Sequence, residues 1–458
     1  MREKIVLIGA GSAMFTRGLL ADILLRKWDA ELALVDIDPA ALAVAEGLAR
    51  KMVAARKAEI RVTASTDRRE ALQGATAVIC TIGVGGRRAW EQDVFVPRRY
   101  GVYQPVGDSV MTGGASRALR MIPAMVDIAR DVMELCPDAV FFNYGNPMSA
   151  VCRGVRKATG APMIGLCHGV FHVASQLAVT LGVDPARLGY TAVGMNHLTW
   201  FVALREAGRD LMPALRRVAR AKLDAIQPDQ VGRRFAEDGS AQRGNPFEAI
   251  GDPFAWQLTE AFGAFPAVMD RHITEFFPYL FAKEGSYYGK TLGVDAYSFE
   301  GTIAFGDELF AQMSELALSK DPLPSDYFDH IVGEHEQVTE IIECIRRDEP
   351  RVFSANVPNE GQIPNLPEGA IVECPCLITS AGVRPLLQEP MPHGPAATLA
   401  SRFEWVELVV EAALEGSRGK FMQALFLDGC LPSIELAGKL ADELLHVQAA
   451  YLPPFRAE

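Results

Sequence analysis

The sequence predicts an α/β protein: an N-terminal Rossmann-like, doubly wound parallel sheet over residues 1–190, then an α+β domain over 191–458. Three observations predict it. Short, continuously apolar runs alternate with helix-length amphipathic segments through the first part of the chain, as in a sheet wrapped on both faces. The first apolar run opens into a glycine-bounded turn, Gly9-Ala10-Gly11-Ser12. The alternation stops near residue 190, where a longer strand-like stretch begins.

Taken in order, KIVLIG at 4–9 reads as a fully buried strand because its apolar residues do not alternate with polar ones. A helix follows from about Thr16 to Lys27. ELALVD at 31–36 is a second strand, ending at Asp36, and the helix beginning DPAALAVAEG starts after an Asp cap. EIRVTAST is a third strand, TAVICTIG at 76–83 a fourth, AVFFN at 139–143 a fifth and APMIGLC a sixth. Beyond the boundary, 190–204 is strand material and 205–350 is mostly helical. The stretch from 351 to 377 is rich in turn signals, and the chain is helical from about Ala396.

Composition narrows the function. Lys+Arg is 45 against 57 Asp+Glu, a formal net charge of −12. With no long basic run, nucleic acid is not the expected partner. No apolar run reaches the roughly 20 residues that span a bilayer, so no membrane is expected either. The eight cysteines (80, 136, 152, 167, 344, 374, 376 and 430) are too sparse for a disulfide framework. A cytoplasmic location is the expectation.

A strand, then G-x-G, then a helix is the dinucleotide-binding arrangement. Gly9 permits the tight turn and Gly11 lets backbone approach the pyrophosphate. The third glycine is absent, with Met14 in its place, and Ser12 adds a small hydroxyl. Asp36 at the end of the second strand would accept the ribose hydroxyls and repel a 2′-phosphate, favouring NAD over NADP. A glycine turn in another α/β protein, with Asp36 as a helix cap, would look the same locally.

Cys167-His168 follows the sixth strand, and Asn196-His197 lies in the strand-like stretch. A thiolate and an imidazole could hold a divalent transition metal and leave positions for substrate oxygens. A buried thiol and a hydrogen-bonded core histidine account for the same residues, and spacing alone favours that reading, because two ligands so far apart are not a motif. Cys374-Pro375-Cys376 is too tight for a zinc knuckle and reads as structural.

GAGSAMF at the start, VDID, YQPVGDSVMTGG at 103–114, NYGNPMS at 143–149, GLCHG at 165–169, GMNHLTWF at 194–201 and NVPNEGQIPNLPEGAIVE at 356–373 together resemble the family 4 glycoside hydrolases. The resemblance covers nearly the whole chain and implies two cofactors, NAD and a divalent metal, usually Mn2+. It also implies a reaction unlike two-carboxylate glycoside hydrolysis. The sugar is oxidised at C3, a base takes the C2 proton while the metal stabilises the enediolate, the aglycone is eliminated, water adds and the hydride returns.

The same resemblance makes Cys167 and His197 metal ligands and Asn146 a substrate contact; Asn196, beside His197, and Arg271 are further candidate substrate contacts. It places His168 where other members carry the proton-donating Asp, and Asp108 where they carry a Glu beside the catalytic base. The base itself would lie in PAVMDRHITEFFPYL at 266–280, which offers Asp270, His272 and Glu275, with Tyr279 nearby. Asp270 is taken as the candidate, with Asp108 as the alternative.

GDSVMTGG and the 266–280 segment look closest to the α-galacturonidases. The expected activity is therefore cleavage of α-galacturonides, with α-galactosides, α-glucosides and α-glucuronides as alternatives. A uronide needs a cation for its carboxylate, and Arg87, Arg88, Arg98, Arg99, Arg117, Arg120 and Arg271 are available. Arg271 is the first choice. The partner is a small sugar, and family likeness suggests a homodimer or homotetramer. Two rival readings are an NAD-dependent 2-hydroxy acid dehydrogenase, which would accumulate NADH, and a non-catalytic NAD-binding module.

Overall fold

The structure, a computed structural model, describes residues 2–225, 253–280, 299–331 and 337–455. Parts of the stretch predicted as mostly helical between 205 and 350 therefore lie outside the described residues. The first six strands are β1 (Arg2–Ile8), β2 (Asp29–Val35), β3 (Ile60–Ser65), β4 (Ala77–Cys80), β5 (Val140–Asn143) and β6 (Ile164–Gly165). They pair in parallel in the order β3-β2-β1-β4-β5-β6. This is the doubly wound order, and it reverses between β1 and β4, where such sheets open a crevice at their carboxyl ends.

Burial explains the apolar runs. Ile5, Val6 and Leu7 in β1 are almost wholly inaccessible, as are Ala77, Val78 and Ile79 in β4, because helices cover both faces. The helices connecting these strands are α1 (Thr16–Leu25), α2 (Pro39–Arg56), α3 (Arg68–Leu72), α4 (Gly86–Arg98), α5 (Met111–Leu135) and α6 (Met148–Thr159). Asp38 caps α2 by accepting from the Ala40 and Ala41 N–H groups, Pro39 takes the first helical position, and Lys57 closes the helix in the left-handed region.

The sheet does not stop at residue 190. It continues through β7 (Gly189–Met195), β8 (Leu198–Glu206), β9 (Arg209–Asp210), β10 (Phe265–Ala267), β11 (Arg351–Pro358), β12 (Ile371–Thr379) and β13 (Gly382–Pro385). These strands extend the sheet antiparallel in the order β6-β11-β12-β7-β8-β10. The stretch read as 190–204 is thus a tight hairpin of two strands.

The turn-rich stretch 351–377 is two long strands around a compact loop. Asn359 organises that loop: its Nδ2 donates to the carbonyls of Ile363 (3.1 Å) and Leu366 (2.9 Å), and its Oδ1 accepts from the Ile363 N–H at 3.1 Å. Pro358 at the end of β11 and Pro375 inside β12 masked the strands in the sequence. The C-terminal helices His393–Glu415, Arg418–Leu427 and Ile434–Val447 pack on this frame. Among the described residues, no helix is long and apolar enough to cross a membrane.

Candidate active site

Two clusters of side chains occupy the carboxyl edge of the parallel strands. The first surrounds the turn after β1. Gly9 has φ +89°, and a Cβ there would stand 2.8 Å from the Ile82 backbone nitrogen that follows β4. Only glycine lets these two loops meet at the reversal point. Gly11 donates its N–H to Asp36 Oδ2 at 2.8 Å, and its own Cβ would lie 2.6 Å from the Ala41 Cβ. Asp36 Oδ1 accepts from the Asp38 N–H at 3.0 Å. Asp36 is therefore fixed by the two loops it joins. As expected, α1 begins at Thr16, and Ser12 Oγ accepts from the Phe15 N–H at 3.3 Å within the turn before it.

The second cluster is Asp108, His197 and His272. One ligand atom from each lies within 4.8 Å of the others. They arrive from the loop between β4 and β5, from the β7–β8 hairpin turn, and from the short helix Asp270–Ile273 after β10. His197 sits in that turn at φ +69°, a costly conformation for a residue with a side chain. Its neighbours hold it there. Glu373 of β12 accepts from Asn196 Nδ2 (3.2 Å) and from Thr199 Oγ1 (2.8 Å), one on either side of the turn.

The hydrogen bonds fix the ring. Ser109 Oγ donates to Asp108 Oδ1 at 2.8 Å and lies 2.6 Å from His197 Nδ1. With its proton directed to Asp108, the hydroxyl accepts from Nδ1, and Nε2 keeps its lone pair. Burial pushes the His197 imidazole down to about 4, against the pull of Asp108, so it is neutral over the physiological range. His272 is likewise held well below its usual value, first by burial and then by the His197, Arg271 and His168 charges. Its buried Nδ1 makes no hydrogen bond, and it stands 3.8 Å from Asp108 Oδ1. A carboxylate and two neutral imidazoles, one with an unsatisfied nitrogen, are a donor set suited to a divalent cation. The residues present fit one.

Asn146, His168 and Arg271 lie beside this cluster. Asn146 Nδ2 donates to Asp108 Oδ2 at 2.9 Å. Cys167 and His168 follow β6, and Cys167 Sγ accepts from the Gly169 N–H at 3.4 Å. The triad does not include Cys167. His168 begins α7 (Gly169–Thr180), close enough for its charge to act on His197, His272 and Glu373. Arg271 is 3% exposed and acts on both cluster histidines.

Asp270 is placed differently. Its two oxygens accept from the N–H groups of Phe254 (2.7 Å) and Ala255 (2.8 Å), at the start of the helix Pro253–Phe262, so the carboxylate acts as a helix cap. Glu275 accepts from Val106 and Gly107 N–H at 2.7 and 2.8 Å, and Tyr279 is 61% exposed. Of the titratable residues in 266–280, the structure brings His272 to Asp108. His272 was legible as one of several titratable groups in its segment. No local pattern distinguished it, because its partners come from other strands.

A Rossmann crevice with a cluster at its carboxyl edge that could hold a cation is the arrangement of a dinucleotide-dependent enzyme. The profile described as family 4 glycosyl hydrolase matches residues 4–183, and that of the family's C-terminal domain matches 192–430. The chain belongs to this family. It is 32% identical to an α-glucosidase of Erwinia rhapontici, over 99% of each chain. It is 31% identical to an α-galactosidase of Rhizobium meliloti, over 99% of this chain and 89% of that one. An α-galacturonidase of Bacillus subtilis is 30% identical over 97% of this chain and 96% of its own. A 6-phospho-α-glucosidase from gut microorganisms, solved with NAD and Mn2+, superposes at a TM-score of 0.82 over 100% of both chains, at 21% identity. That likeness shows the fold alone.

Proposed function

We propose that this protein hydrolyses α-linked galacturonides or closely related α-glycosides by transient oxidation of the sugar, using NAD and a divalent metal such as Mn2+. The observation that carries the reading is the Asp108–His197–His272 cluster at the open edge of a dinucleotide-type crevice. When bound, NAD supplies reversible hydride transfer and the metal supplies Lewis acidity.

The chain's own residues divide the remaining work. Gly9, Gly11 and Ser12 bring backbone close to the pyrophosphate, and Asp36 accepts from a ribose hydroxyl, with exposed Ile37 beside it. His197 offers Nε2 to the metal, Cys167 offers its thiolate, and Asp108 and His272 stand within reach of the same cation. Asn146, Asn196 and Arg271 contact the sugar. His168 passes a proton to the departing oxygen, a task suited to an imidazole near neutral pH. Residues 1–190 carry the dinucleotide and 191–458 complete the sugar site. We further propose a cytoplasmic homodimer or homotetramer, consistent with cysteines too sparse for a disulfide framework.

The test is a screen of p-nitrophenyl α- and β-glycosides and uronides with NAD+, Mn2+ and thiol, each omitted in turn. Release of nitrophenol should need all three and leave absorbance at 340 nm flat, because the cofactor is recycled. Accumulating NADH would point to a dehydrogenase instead. Full activity of Cys167→Ser without added metal would remove Cys167 from the ligand set.

A further inference from the structure

Seven arginines could meet a substrate carboxylate, and most are already committed. Arg87 and Arg88 pair with Asp307, Arg98 with Glu300 and Arg99 with Glu443. Arg120 is fully buried against Asp93, with its Nη1 donating to Asp93 Oδ1 at 2.8 Å. Arg271 is buried beside the cluster histidines and has contacts of its own.

Arg117 differs. It lies on α5 (Met111–Leu135), half-buried, and among the described residues it forms no ion pair. Its Nε donates to the Asn146 carbonyl at 3.1 Å, and its guanidinium carbon stands 5.7 Å from the Trp90 ring centroid. Its Nη2 reaches over Gly83, in the loop after β4, 3.6 Å from where a Cβ would be. The Nε bond and the Trp90 face leave the terminal nitrogens with no protein hydrogen bond among the described residues. Burial and the like charge of Arg120 both disfavour its cationic form, against the pull of Asp108 and Asp93. A half-buried cation that forms no ion pair among the described residues gains from an anionic ligand. The place matters: Asn146 links Arg117 on its backbone side to Asp108 on its side-chain side.

We propose that Arg117 binds the carboxylate of an acidic sugar through its terminal nitrogens and thereby sets a preference for α-uronides over neutral α-glycosides. The inference rests on the glycosidase reading above. A guanidinium fork matches a carboxylate bidentately, whereas a neutral hydroxymethyl group leaves it unpaired. A dinucleotide phosphate is the competing anion, since the Gly9 turn meets the loop that carries Ile82 and Gly83, and the NAD+ dissociation constant separates the two.

The experiment compares full-length wild type, Arg117→Gln and Arg117→Lys, with NAD+ and Mn2+, on p-nitrophenyl α-galacturonide, α-glucuronide, α-galactoside and α-glucoside. Wild type should favour a uronide. Arg117→Gln should lower the uronide-to-neutral ratio of kcat/KM at least tenfold, mainly through KM, and Arg117→Lys should recover part of it. Galacturonate or glucuronate should raise the melting temperature of wild type and not of Arg117→Gln, and the NAD+ dissociation constant should stay within twofold. A ratio that moves less than twofold overturns the inference, as does weakened NAD+ binding matching the loss on uronides. Wild type that cleaves neutral glycosides and ignores uronides overturns this inference alone. Wild type that cleaves no glycoside overturns both readings.

Discussion

Glu373 shows how one buried carboxyl can shape a site it does not enter. It ties Asn196 and Thr199 across the turn that holds His197 at positive φ. Burial raises its carboxyl to about 7, while the hydrogen bonds from Thr199 and Asn196 pull it down. The folded state therefore keeps the proton over a range where the unfolded chain, with a usual value of 4.5, has lost it. The resulting destabilisation is absent below about pH 4.5 and complete above about pH 7, and it amounts to about 3 kcal/mol. Denaturant unfolding of wild type and Glu373→Gln at pH 5 and pH 8 reads it directly. The stability difference between the two proteins should shift toward the variant by roughly that amount at pH 8. An equal difference at both pH values would mean that Glu373 does not titrate in this window. The residue scale also separates what could be read in the sequence from what could not. Gly9, Gly11 and Asp36 are legible because their partners lie within one strand–turn–helix unit. His272 and Glu373 take their meaning from strands far apart in the chain. Asp270 looked like a base because a carboxylate capping a helix start and a catalytic one share a residue type.

At the scale of elements, the connection between α4 (Gly86–Arg98) and α5 is polar at its centre. Asp93 and Arg120 are 0% and 2% exposed, and Asp93 also accepts from Ser116 Oγ (2.8 Å) and Gln448 Nε2 (2.9 Å). These bonds join two helices beside the site to the C-terminal end of the helix Ile434–Val447. Removing one partner leaves a buried charge alone, which costs about 3–5 kcal/mol. Asp93→Ala should lose that much in denaturant unfolding, and a loss below about 1 kcal/mol would show that water or a neighbour rescues Arg120. The parallel strands were legible because they are buried on both faces and so read as unbroken apolar runs. β11 and β12 were not, since Pro358 and Pro375 within them read as breakers, and antiparallel pairing with a chain partner elsewhere overrides that local signal.

For the whole molecule, the decisive feature is one sheet crossing the position where the sequence pattern changes. β6 is only two residues long and lies between β5 and β11, with Asn356 opposite Gly165 and its Nδ2 donating to the Gly165 carbonyl at 3.3 Å. The helix α6 (Met148–Thr159) is bound to the helix His393–Glu415 by Arg153–Glu407 and Lys157–Glu411 contacts. The Asp108–His197–His272 cluster likewise draws Asp108 from one side of residue 190 and His197 and His272 from the other. Neither half can bury its share of this surface alone, so the chain should fold as one cooperative unit. A fragment ending at residue 190 would leave β6 as an unpaired edge and bare an apolar face of α5, both prone to association. Expressed alone, it should aggregate or lack a cooperative thermal transition, whereas the full chain should show one transition by circular dichroism and calorimetry. Co-expression of 1–190 with 191–458 should recover soluble complex. A monomeric 1–190 fragment that melts cooperatively and binds NAD+ would show instead that the parallel half closes its own edge, and that the antiparallel strands are an attachment rather than part of its core.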